Sequence, residues 1–208
     1  MCGRFTLLTD LSVIVEYFGI EDVAGPGHYS TGNDISPGQR ITAVIHDDKN
    51  RLVGFQWGLI PSWTKDPSMG NQMKNARAET VSIKPSFKDA FKKQRCLIIA
   101  DGFYEWAAKN KKKVPYHFSL KSGAPFGFAG LYETWTSPDK RTVKTCTIIT
   151  TDANDLVRPV HDRMPVIVPR DKEARWIDPG MQDSKELASV LKPYPAEEMK
   201  VAEGFVKL

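Results

Sequence analysis

Ile41-Thr42-Ala43-Val44-Ile45 and Leu52-Val53-Gly54-Phe55-Gln56-Trp57 stand on either side of Asp47-Asp48-Lys49-Asn50. Two apolar runs around a short Asp- and Asn-rich break read as a β-hairpin. The same signal recurs downstream, at residues 97–100, 114–120, 126–131, 143–150 and 166–168. Few long helical crossovers separate these runs, which favours antiparallel sheet over a doubly wound parallel one. The basic run from Lys109 to Lys113, broken by Asn110, lies between two such segments and reads as an exposed hairpin tip. Helical spacing is short and local. Leu11, Ile14, Val15 and Phe18 share one face behind Thr9-Asp10, and Gly19 stops them. Further helices are expected near 84–93, 172–176 and 184–191. The pattern as a whole is an α+β chain, β-rich at its centre.

Composition narrows the function classes. Hydrophobic residues make up 41% of the 208 and charged residues 26%, ordinary values for a globular domain. Lys and Arg number 29 against 25 Asp and Glu, a formal net charge of +4. That surplus permits nucleic-acid binding without demanding it, and excludes polybasic and strongly acidic tails. No apolar run approaches the roughly 20 residues of a membrane span. Thr6, Thr9 and Asp10 interrupt any signal-peptide core. The three cysteines, Cys2, Cys96 and Cys146, form no disulfide framework, so a reducing, cytoplasmic setting is expected. Neither a Cys-x-x-Cys nor a paired-His spacing occurs, so zinc is not expected.

Cys2 carries a chemical opportunity. Met1 is removable when the next side chain is small, and the mature chain would then begin with Cys2. An N-terminal Cys holds an amine and a thiol on adjacent carbons. It can capture an aldehyde twice, first as an imine and then as a five-membered thiazolidine. An internal Cys cannot, because its nitrogen is an amide. An α-amine with a pKa of about 7.7–8.0 keeps a reactive neutral fraction at pH 7. The plain alternative is that Cys at position two has no role.

Three other stretches hold candidate groups. In Asn75-Ala76-Arg77-Ala78-Glu79-Thr80, extended backbone puts Asn75, Arg77 and Glu79 on one side and small alanines on the other. Asn offers donor and acceptor, and Arg a fork for phosphate; an Arg–Glu ion pair on a sheet face is the alternative. In Gly102-Phe103-Tyr104-Glu105-Trp106, a carboxylate sits between aromatics, where its pKa can rise and it can shuttle protons. Trp106 can stack on a base. The alternative there is a solvent-facing Glu105 with Tyr104 and Trp106 in the core. In His161-Asp162-Arg163-Met164-Pro165, His161 lies between Arg158 and Arg163 on a loop, suited to acid–base work near neutral pH. His28 and His46 read as solvated, and His117 as structural.

Together these stretches resemble the SRAP family, the SOS-response-associated peptidases or abasic-site-processing proteins. The matching segments are Cys2-Gly3-Arg4-Phe5, Trp57-Gly58-Leu59-Ile60-Pro61-Ser62-Trp63, 75–80, Arg95-Cys96-Leu97 through Trp106, Phe128-Ala129-Gly130-Leu131-Tyr132, and 161–165. They keep the family order from residue 2 to about 168. One segment departs: the family's Asn-hydrophobic-Ala-Pro is replaced, in Asn33-Asp34-Ile35-Ser36-Pro37, by Asp34 and Ser36 at the Asn and Ala positions.

The resemblance implies a single domain over residues 1–208 that crosslinks itself to abasic sites in single-stranded DNA, as part of the DNA damage (SOS) response. The expected fold is α+β, with a central antiparallel, barrel-like β core and peripheral short helices. Cys2, Asn75, Glu105 and His161 are the implied catalytic set. Cys2 would form the thiazolidine, Asn75 hold the α-amine and sugar oxygen, Glu105 move protons, and His161 open the sugar ring. Arg4, Arg77 and Arg163 would meet phosphates, and Trp106 and Trp63 stack on bases. A monomer, associated with the nucleoid and not with a membrane, is expected. An N-terminal-nucleophile hydrolase and a non-covalent reader of modified DNA are the competing readings.

Overall fold

The computed structural model describes residues 2–23, 25 and 29–206; the Met1 and His28 readings lie outside them. The strands are β1 (Arg4–Leu7), β2 (Asp22–Val23), β3 (Gly32–Ile35), β4 (Arg40–His46), β5 (Asn50–Trp57), β6 (Asn75–Arg77), β7 (Arg95–Ala100), β8 (Gly102–Lys109), β9 (Lys112–Leu120), β10 (Phe126–Thr136), β11 (Thr142–Asp152), β12 (Arg163–Pro165) and β13 (Met199–Glu203). The α-helices are short: α1 (Leu11–Tyr17), α2 (Lys88–Lys93), α3 (Glu173–Ile177) and α4 (Ser184–Val190).

The 41–57 hairpin is present, with Ile41 opposite Phe55 and Val44 opposite Leu52. It forms one side of a barrel. Going round, β4 pairs with β5, β5 with β11, β11 with β10, β10 with β7, and β7 with β4. Every pairing in the ring is antiparallel except β5–β11, where Trp57 runs beside Cys146 in parallel register. Apolar side chains fill the interior, among them Ala43, Ile98, Phe128, Cys146 and Ile148. The fold is thus the α+β domain with a barrel core and peripheral helices that the sequence implies.

A second sheet, in the order β13-β9-β8-β1-β3, packs against the barrel. Aromatic rings make the join. Phe5 on β1 lies 5.4 Å from Trp57 and 5.9 Å from Phe128, and Phe103 on β8 lies 6.2 Å from Phe128. The β8–β9 turn has Asn110 and Lys111 at positive φ, the geometry of a tight hairpin, so the basic run is the hairpin tip expected.

Strand β1 was not legible as a strand, because it is four residues long and half polar. It is anchored instead by a half-buried acid. Asp101 accepts from the Thr6 hydroxyl at 2.6 Å, from the Leu8 and Thr9 amides at 2.5 and 3.0 Å, and from the Thr9 hydroxyl at 3.0 Å. The segment that follows Cys2 is therefore clamped where β1 ends. Residues 166–168 differ from expectation as well. The strand is β12, three residues earlier, and Val166–Val168 threads between β10 and β11. Val166 N–H donates to Ile149 O at 2.9 Å, and Val168 N–H to Gly127 O at 2.9 Å.

Helices α2 and α3 are held to the barrel by Arg95, a buried cation at the start of β7. Its guanidinium donates to the carbonyls of Trp176, Phe91, Lys92 and Met181 at 2.6, 2.8, 2.5 and 2.8 Å, and also to that of Asp178. Carbonyl oxygens from α2, α3 and the segment after α3 thus satisfy its donors.

Candidate active site

Strand β8 lies between β1 and β9, with Arg4 opposite Tyr104 on one side and Glu105 opposite Tyr116 on the other. That central position overturns the solvent-facing alternative for Glu105, which is only 3% exposed. Burial pushes its carboxyl up to about 7, and the Asp162 carboxylate acts in the same direction. At neutral pH such a group is populated in both protonation states, as a proton shuttle requires.

Cys2 lies two residues before the start of β1 and is fully buried. Burial first, and then the Glu105 carboxylate, push its thiol well above the ordinary range. Asn75 on β6 reaches it across the fold. Its side-chain Nδ2 donates to the Cys2 carbonyl at 2.8 Å. The parallel pairing of β6 with β11, Asn75 beside Ile148, holds Asn75 there. Its Oδ1 is buried and has no hydrogen-bond partner among the described residues.

His161 arrives on the loop between β11 and β12. Asn154 shapes that loop. Its Oδ1 accepts from the Leu156 and Val157 amides at 3.1 and 3.0 Å, and its Nδ2 donates to Tyr194 O at 2.7 Å. His161 Nδ1 accepts from the Arg163 amide at 2.9 Å. Burial lowers its pKa, and Asp162, 3.0 Å from the same Nδ1, pulls the other way.

Glu105 and His161 line one open hollow of about 460 Å³, together with Gly3, Arg4, Trp106 and Lys113. Cys2 is next in the chain to Gly3. A larger groove of about 550 Å³ beside β4, β5 and β11 is lined by Arg40, Gln56 and Lys144 and by none of the candidate catalytic residues.

The remaining candidates divide. Arg4 and Trp106 are at the hollow. Arg77 is exposed at the end of β6, two residues beyond Asn75. Trp63 is exposed on the loop after β5 and does not line the hollow. The backbone of that loop is tied down where Gly58, at φ +136°, faces Gly70; a Cβ there would stand 2.6 Å from Gly70 O. Arg163 is turned inward, its side chain 12% exposed. It grips Glu79 through two contacts of 2.7 and 3.0 Å, Asp152 at 2.8 Å and Thr150 O at 2.8 Å. An Arg–Glu ion pair on the 75–80 segment does form, therefore, but Glu79 takes Arg163 and not Arg77.

Some residues at the site escaped sequence reasoning. Lys113 was subsumed in the basic tip. Asn154 carried only a weak signal, an Asn ahead of a loop that it caps. Asp34 pairs with Arg4, so the departure from the family pattern sits against a candidate phosphate ligand. Phe205, 51% exposed, follows β13 and sets its ring 5.1 Å from Tyr104 and 6.5 Å from Trp106.

Comparison with known proteins bears on this arrangement. The family model described as SOS response associated peptidase (SRAP) matches residues 1–203. The chain is 46% identical over 202 residues to the abasic site processing protein YoqW of Bacillus subtilis, covering 96% of this chain and 90% of that protein. It is 34% identical over 165 residues to the abasic site processing protein HMCES of Xenopus tropicalis, covering 68% of this chain and 49% of that protein. A crystal structure of a Bacteroides thetaiotaomicron protein superposes with a TM-score of 0.86 at 27% identity, covering 97% of this chain and 91% of that one. One from Bordetella bronchiseptica gives 0.83 at 28% identity over the whole of both chains. A model match over nearly the full length, with relatives of this identity, places the chain in the SOS response associated peptidase (SRAP) family.

Proposed function

We propose that the protein processes abasic sites by crosslinking itself to them in single-stranded DNA, through an N-terminal Cys2 exposed by removal of Met1. The names of the relatives support abasic-site processing. The observation that supports the chemistry is that Asn75 donates to the Cys2 carbonyl and the Glu105 carboxylate acts on the Cys2 thiol, while Glu105 and His161 line one hollow with Gly3, Arg4 and Trp106.

The open form of an abasic sugar presents an aldehyde. His161 donates a proton toward the ring oxygen as the ring opens. The Cys2 amine adds to the aldehyde carbon and gives a carbinolamine. Glu105 in its protonated state gives a proton to the departing hydroxyl, and water leaves as the protonated imine forms, its nitrogen keeping its own proton. The Cys2 sulfur then adds to the imine carbon. The electron pair of the C=N double bond returns to nitrogen, which becomes a neutral N–H, and a thiazolidine results. A thiol held above its usual pKa keeps its proton until that step, and Glu105, ionised by the previous one, is placed to accept it. Asn75 Nδ2 fixes the Cys2 carbonyl, and its free Oδ1 offers an acceptor to the amine. Arg4 and Arg77 pair with phosphates while Trp106 stacks on a neighbouring base. No step calls for a metal or an organic cofactor. The site of action would be the nucleoid, and one protein molecule per lesion suffices.

The test is a denaturing gel with an abasic single-stranded oligonucleotide. Mature protein should give a heat-stable adduct, and protein that retains Met1 should give none. An equal adduct from the Met1-bearing form would overturn the mechanism.

A further inference from the structure

Arg4 is presented to the hollow on one face of β1, but it is not idle there. Its guanidinium is paired with Asp34 on the adjacent strand β3. The register sets Phe5 opposite Ile35, so Arg4 and Asp34 are diagonal neighbours on the face opposite those two buried apolar residues. Both side chains are open to water, 42% and 38% exposed. Water screens such a pair, so it breaks at little cost. A carboxylate on a guanidinium also imitates a phosphate oxygen on the same fork.

We propose that Asp34 is a specificity-determining residue that occupies Arg4 as an internal stand-in for a DNA phosphate. The inference rests on the DNA reading above. An undamaged strand offers phosphates alone and must displace Asp34 to gain Arg4. A strand with an abasic site meets the same obstacle, but covalent capture at Cys2 then holds it. Asp34 therefore lowers the affinity for undamaged DNA, the abundant competitor, and shortens residence there, while residence on a damaged strand is set by the covalent bond. It also adds a negative charge next to the path of the phosphates.

The test uses the mature full chain and a fluorescent undamaged single-stranded oligonucleotide, with binding followed from about 50 to 200 mM salt. Asp34→Asn keeps the size and removes the charge. It should bind several-fold tighter than wild type at low salt. The slope of log K against log salt should steepen by about 0.7, the value of one more phosphate contact on a single strand. Asp34→Glu, which keeps the charge, should bind as wild type does. In an Arg4→Ala background the gain from Asp34→Asn should disappear. Equal or weaker binding by Asp34→Asn would overturn the proposal, as would a gain that persists without Arg4. Wild-type protein that binds no DNA at any salt would instead remove the DNA reading on which the proposal rests.

Discussion

The side-chain amide of Asn75 donates to the main-chain carbonyl of Cys2 at 2.8 Å, across 73 positions of sequence. This bond ties the N-terminal strand of one sheet to a strand at the edge of the barrel. It fixes the peptide unit just beyond the amine that would become the nucleophile. Asn75→Ala should therefore slow single-turnover crosslinking by about 10²-fold, the cost of a misplaced reacting group. The same variant should lose only about 1 kcal/mol of stability by chemical denaturation, the net worth of one hydrogen bond. Crosslinking at the wild-type rate would remove Asn75 from the site.

Glu105 makes stability depend on pH. Its folded pKa, about 7, is above the 4.5 of an unperturbed glutamate. The native state therefore holds a proton that the unfolded chain has lost between those values. Its stabilising effect is complete below about 4.5 and disappears as pH rises through 7. Glu173, also buried and raised to about 7, acts in the same sense, whereas the lowered pKa values of His117 and His161 act oppositely as pH falls. Denaturation at pH 5 and 7.5 should show wild type losing more stability than Glu105→Gln, by on the order of 2 kcal/mol. Crosslinking by Glu105→Gln should be slower by about 10²–10⁴-fold.

Arg163 offers a different kind of test, because its charge is spent inside the protein. The two-pronged contact with Glu79, joined by Asp152, holds the end of β12 beside the turn after β6. Arg163→Lys preserves the charge and loses the fork. It should lower the melting temperature nearly as much as Arg163→Ala. A lysine variant as stable as wild type would show that charge alone suffices.

Phe205 and Trp106 form a small aromatic platform with Tyr104 at the edge of the hollow. Trp106→Ala should weaken single-strand binding by about 1–3 kcal/mol, the worth of one stacked base. Phe205→Ala should weaken it less, since its ring backs Trp106. Affinity measured by fluorescence anisotropy distinguishes the two. Stronger dependence on Phe205 than on Trp106 would reverse their roles.

Much of this architecture is written locally in the chain. The 41–57 hairpin and the later β runs announce themselves because each is a short apolar run bounded by turn residues. Barrel closure does not. It depends on Trp57 lying parallel to Cys146, a pairing that no local pattern encodes. The candidate catalytic residues were legible as types in motifs, but their chemistry was not. Glu105 reads as an exposed position on an alternating strand until β1 and β9 cover it. The engagement of Arg163 was equally hidden, since Glu79 is 84 residues away. Arg4 looked available for phosphate because nothing in its own segment reveals Asp34.

The central claim is that the Cys2 thiol traps what the Cys2 amine first captures. Mature wild-type protein and Cys2→Ala, each with a free N-terminal amine, are compared on one abasic single-stranded oligonucleotide, with and without sodium borohydride. Wild type should give a heat-stable adduct on a denaturing gel in both conditions. Cys2→Ala should give one only with borohydride, because its imine hydrolyses unless it is reduced. A Cys2→Ala adduct as stable without borohydride as that of wild type would contradict the account.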